Sequence, residues 1–104
     1  DDGRVHDCAL AYLSDLNPMT AIKEAHPNAH GEEAAWYKRF MSASLDHAMW
    51  FQRQARADEW LLLDMAAHGL IRTRGLATGP VFSASGAHIA TIAQEGLLRE
   101  RRNP

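Results

Sequence analysis

Ala43-Ser44-Leu45-Asp46-His47-Ala48-Met49-Trp50-Phe51 is the stretch on which the reading of this chain turns. It has the character of a strand, and successive side chains of a strand point to opposite faces. Ser44, Asp46, Ala48 and Trp50 are therefore expected on one face, and Ala43, Leu45, His47, Met49 and Phe51 on the other. Polar groups set among large hydrophobes on both faces imply a strand sandwiched between layers. Buried polar groups there need partners. The combination points to a site rather than to a plain core strand.

Period two continues outward from this stretch. Strands are predicted over 40–51, 59–66, 71–82 and 88–99. Ser83-Ala84-Ser85-Gly86 reads as the turn joining the last two in an antiparallel hairpin. Upstream, Val5, Cys8, Ala9, Tyr12, Leu13 and Leu16 recur at helical spacing and predict an amphipathic helix over about 4–15. Asn17-Pro18 reads as a cap with proline in the first turn of a second helix, which runs through Ile22 and Ala25 and stops near Pro27. Residues 26–33 read as a loop, and 34–37 as a helical turn or a flap. A helix followed by a run of antiparallel strands indicates an α+β fold, with the helix lying on one face of the sheet.

With 104 residues the chain is expected to form one domain with a modest core. At 46% hydrophobic, 23% charged and a net charge of −2, it reads as globular and soluble. There is no clustered basic face of the kind a nucleic-acid partner requires, and no apolar run near the roughly 20 residues of a membrane span. Cys8 is the lone cysteine, so no internal disulfide forms, and a reducing, cytoplasmic setting is expected.

Four segments carry a resemblance, in this order: Ala11-Tyr12-Leu13-Ser14-Asp15, Ser44-Leu45-Asp46-His47-Ala48-Met49-Trp50-Phe51, Asp58-Glu59-Trp60-Leu61-Leu62 and Ala93-Gln94-Glu95-Gly96-Leu97-Leu98-Arg99. Together they resemble the C-terminal half of the type II acyl-CoA thioesterases over about 5–99. The resemblance implies a hotdog fold, an antiparallel sheet wrapped around a long helix. It also implies hydrolysis of acyl-CoA to fatty acid and CoA, in which an Asp, a Thr or Ser and a Gln hold the attacking water. Carried over by motif, these are Asp15, Ser44 and Gln94. Neither a cofactor nor a metal is implied.

Each residue type suits its implied task. A carboxylate such as Asp15 can orient water or take its proton, and the end of a helix is unfavourable to its negative charge. The plainer role for an Asp there is a turn hydrogen bond. Ser44 can accept from one group and donate to another. As a covalent nucleophile it would need an adjacent base, and His47 is expected on the opposite face. Gln94 is neutral and suited to positioning, or else is a satisfied core amide. Asp46 is expected to be structural and His47 a buried hydrogen-bonding histidine, the two pointing apart. The six histidines lack the short spacings of a zinc motif. Arg99, Arg101 and Arg102 read as a solvated tail.

Departures from the resembled pattern fall at Gln52-Arg53-Gln54-Ala55, where His-Arg-Pro-Phe is usual, and after Met65, where His68, Leu70, Ile71 and Arg72 stand in a segment usually rich in small residues. They bear on the acyl pocket more than on the reaction. Ser14-Asp15-Leu16-Asn17-Pro18-Met19 also resembles the motif of hotdog enoyl-CoA hydratases, but Thr20 stands where that pattern has its His. A non-catalytic acyl-binding hotdog module is the third reading, since fold alone does not imply activity. Because the first predicted element is a helix, the resemblance further implies that residues 1–104 are the C-terminal part of a double-hotdog enzyme. The first strand and a second hotdog unit would come from elsewhere in the protein or from another chain, in an oligomer.

Overall fold

The computed structural model describes residues 3–15, 18–26 and 38–101. Two helices, α1 (Gly3–Ser14) and α2 (Pro18–Ala25), precede five strands: β1 (Phe40–Phe51), β2 (Leu61–Leu63), β3 (Ala66–Ile71), β4 (Arg74–Ser83) and β5 (His88–Glu100). All strand pairs are antiparallel. The sheet runs β1-β5-β4-β2, with β3 also paired to β4. The α+β expectation holds, and both helices expected from the sequence are present, in place of the single long helix that the resemblance implied. Asn17, most of the expected loop, 34–37 and Arg102 lie outside the described residues.

Strand β1 has the bounds expected, and the β4–β5 hairpin turns at the predicted residues, closed by Gly86 N–H donating to Ser83 O at 2.9 Å. Between them the expected boundaries shift. The second expected strand is broken after Leu63, and its continuation, β3, turns back at Arg72 and Thr73 with φ of 53° and 65°. Two successive positive φ values build the tight hairpin turn whose twist matches that of its strands. Neither residue is a glycine or asparagine, so the turn carries no sequence signal. At the break, the backbone of Asp64 and Met65 lies so close over Gly79 that a β-carbon there would overlap it.

Glycines likewise let α2 lie directly on the sheet. Ile22 is fully buried against Gly75, and Met19 sits on Gly96. Ile22, Phe40, Ala77 and Leu98 form one core cluster, and Leu10, Val81, Ile89, Ala90 and Ile92 the other. Both lie between the helices and the same face of the sheet.

The expected apolar stripe of α1 is not its buried face. Leu10 and Ser14 are buried, whereas Val5, Tyr12, Leu13 and Cys8 are exposed. The helix turns a small polar residue inward because the sheet beneath it carries a histidine. Its apolar stripe is left facing outward.

Candidate functional site

The inner face of the sheet is polar at one place, and a bulge in β1 puts it there. Ser44 pairs with Gly96, Asp46 with Glu95 and His47 with Gln94, so the register slips by one residue at Leu45. Residues directly opposite one another share a face, and an inserted residue reverses the alternation beyond it. Ser44 and His47 therefore lie on the same face as Gln94, and Ser44 does not share a face with Asp46. This corrects the expectation from plain alternation. Asp46 and His47 do point apart as expected. The Asp46 carboxylate accepts from Glu95 N–H at 3.3 Å, occupying a backbone donor beside the bulge.

His47 is the hub. Its Nε2 is 2.8 Å from Ser14 Oγ and its Nδ1 is 2.6 Å from Gln94 Oε1. Ser14, fully buried on the last turn of α1, also donates to the carbonyl of Ala11 at 2.8 Å. Asp15 follows directly, with its carboxylate 3.9 Å from Nδ1 and its side chain 54% exposed. Gln94 is fully buried, and its Nε2 has no hydrogen-bond partner among the described residues. The structure thus brings Asp15 and Gln94 together on one imidazole. It sets Ser44 two positions along the same face, exposed at the edge strand. Because both ring nitrogens of His47 are engaged, neither is turned to Ser44 as a base, although the two residues share a face.

Sequence reasoning missed Ser14 and gave His47 no part in the site. The signal for His47 was present, a titratable residue in a half-buried strand, but parity arguments placed it on the wrong side. A concavity of about 550 Å³ on the sheet, lined by residues including His68, Arg72, Leu76 and Glu95, holds none of these site residues. Among the described residues no three His, Cys, Asp or Glu side chains converge as metal ligands, and no helix is long and apolar enough to cross a membrane.

Helices laid on one face of an antiparallel sheet make this a hotdog type of domain, in which a carboxylate from the helix end and an amide from the central strand both approach His47. The acyl-CoA thioesterase family profile matches residues 1–97. Acyl-CoA thioesterase 2 of Haemophilus influenzae is 37% identical over 99 residues, which are 94% of this chain and 32% of that protein. The crystal structure of acyl-CoA thioesterase II TesB2 from Mycobacterium marinum superimposes with a TM-score of 0.84 at 40% identity, covering all of this chain and 39% of that one. A DHNA-CoA thioesterase from Staphylococcus aureus shares the fold at a TM-score of 0.62 and 13% identity, over 91% of this chain and 61% of its own. The chain belongs to the acyl-CoA thioesterase family. It spans about a third of the length of the Haemophilus relative.

Proposed function

We propose that the protein hydrolyses acyl-CoA thioesters to the free acid and CoA, using a water held among Asp15, Ser44 and Gln94. The observation that carries this reading is the approach of Asp15 and Gln94 to one histidine, in a chain of this family. Asp15 takes a proton from the water as its oxygen bonds to the thioester carbonyl carbon. Ser44 steadies the water through a hydroxyl able both to donate and to accept. Collapse of the tetrahedral adduct breaks the C–S bond, and the proton on Asp15 passes to the departing thiolate. The reaction consumes only water and calls for no cofactor.

The same reading extends to assembly and setting. Residues 1–104 form the C-terminal hotdog domain of a double-hotdog enzyme, completed by a second hotdog unit. In support, the outward stripe of α1 exposes Val5, Tyr12 and Leu13. Separately, the edge strand β1 exposes Met41, Leu45 and Trp50, and an uncovered edge invites pairing. A cytoplasmic setting suits the lone cysteine.

Release of free thiol from a panel of acyl-CoAs of graded chain length tests the reaction in the full-length protein. Turnover is expected for at least one member, falling by about 10²–10⁴-fold in Asp15→Asn. Unchanged turnover in that variant refutes the role of Asp15. Loss of enoyl absorbance without thiol release supports hydration instead.

A further inference from the structure

We infer that His47 is a positioning residue for the proposed hydrolysis: its neutral imidazole, protonated at Nε2, turns the Gln94 amide so that the carbonyl oxygen faces the water. The inference rests on the reading of the site given above and follows from counting hydrogens. Ser14 has a single hydroxyl hydrogen, and the carbonyl of Ala11, 2.8 Å away, can only accept. With that hydrogen committed, the 2.8 Å contact between Ser14 Oγ and His47 requires Nε2 to donate. A neutral ring protonated at Nε2 carries a lone pair on Nδ1. The group 2.6 Å from Nδ1 must then donate, and the only donor on Gln94 is its NH2.

The two ends of an amide have the same shape, so hydrogen bonding decides which one faces the ring. With Oε1 toward Nδ1, the ring donates from Nδ1, either carrying both protons or with the Ser14 hydroxyl turned to Nε2, and in both cases an NH2 group is left buried without a partner among the described residues. With NH2 toward Nδ1, the chain Gln94 to His47 to Ser14 to Ala11 closes with every hydrogen used in one direction. A single carbonyl oxygen then takes the buried position on the far side of the amide, where no described residue supplies a hydrogen-bond partner. That oxygen accepts a hydrogen from water, leaving the water's other hydrogen for Asp15 and a lone pair free for attack. His47 does this without touching substrate. It also ties Ser14, and so the helix end carrying Asp15, to the strand carrying Gln94.

Two measurements on the full-length protein test this. Nitrogen-15 NMR of the His47 ring is expected to show the neutral Nε2–H tautomer at neutral pH. The Nδ1–H tautomer or an imidazolium overturns the assignment whatever the activity. In thiol-release kinetics, His47→Ala should lower kcat by up to about 10²-fold, the cost of misplacing a group near the chemistry, with KM little changed. Gln94→Ala should do the same, and the double variant should be no worse than either. His47→Asn, whose amide falls where Nδ1 sat, should recover much of kcat. His47→Gln, which reaches Ser14 instead, should not. Additive losses, or equal behaviour of Asn and Gln, mean that His47 merely supports the fold and overturn the inference. If Gln94→Ala itself leaves kcat unchanged, the reading of the site fails, and the tautomer measurement still judges the hydrogen count.

Discussion

Filling Gly75 should destabilise the protein while Ile22 is present and stabilise it once Ile22 is truncated. Ile22 is fully buried, and alanine there removes three carbons. At about 0.8 kcal/mol per methylene the transfer loss is about 2.4 kcal/mol. A cavity on a sheet that cannot collapse onto it brings the total to about 3–4 kcal/mol, within the range for such truncations. Gly75→Ala alone would put its β-carbon 2.5 Å from Ile22 Cγ2, 3.3 Å from Ile22 Cγ1 and 3.1 Å from Leu70 Cδ2. Overpacking of this kind costs about 1–3 kcal/mol, offset by about 0.5–1 kcal/mol for removing a strand glycine. In the Ile22→Ala background the two Ile22 atoms are gone. The new methyl enters the vacated space, so Gly75→Ala should there stabilise by about 1 kcal/mol. The coupling is about 1–3.5 kcal/mol and reverses the sign of one substitution. Urea denaturation of the four proteins, compared at constant slope, reads it directly. A Gly75→Ala effect that is the same within about 0.5 kcal/mol in both backgrounds would show the sites to be independent. It would refute the packing of α2 on the sheet.

Ser44→Thr should retain most of the thiol-release rate and Ser44→Ala lose about 10²-fold, the lower end for positioned polar groups; equal rates in the two variants would remove the hydroxyl from the mechanism. Gly79→Ala should destabilise by about 1–3 kcal/mol in the same urea assay, because its β-carbon meets the backbone of Asp64 rather than a movable side chain. The Asp58 carboxyl is held below the usual carboxylate range, chiefly by hydrogen bonds from Arg56, whose own guanidinium is held above its usual range by the same contact. A depressed carboxyl contributes stability above its unfolded pKa and loses it as pH falls through the folded one. Carbon-13 titration of Asp58 should therefore show a low midpoint that returns to normal in Arg56→Ala. Since the pair stands on the open surface, added salt should shrink the difference.

Elements were legible where local pattern is sufficient. Period two delimited β1, Pro18 opened α2, and Ser83-Ala84-Ser85-Gly86 marked the turn before β5. What failed was what depends on partners. One extra residue at Leu45 is invisible in a sequence, since every residue past the slip still alternates with its neighbour while facing the opposite way. The hairpin at Arg72 and Thr73 uses positive φ at residues that rarely adopt it, so 71–82 read as continuous. The buried face of α1 was misjudged because hydrophobicity marks faces that seek cover, without saying which surface supplies it. Of the proposed site, Asp15, Ser44 and Gln94 came from motif order. The connection through Ser14 and His47 came only from the register.

Strand β1 has a consequence for how the molecule forms. Its ladder runs from Phe40 opposite Glu100 to Phe51 opposite Ala90, so it embraces the entire β2–β5 segment. The hairpins β3–β4 and β4–β5 close early over short loops, whereas β1 must wait until its partner, β5, has been made. During synthesis a long strand therefore stands unsatisfied while β2, β3 and β4 emerge. Truncations that remove even part of β5 should leave β1 adhesive, and such products should partition into aggregates rather than persist as folded intermediates.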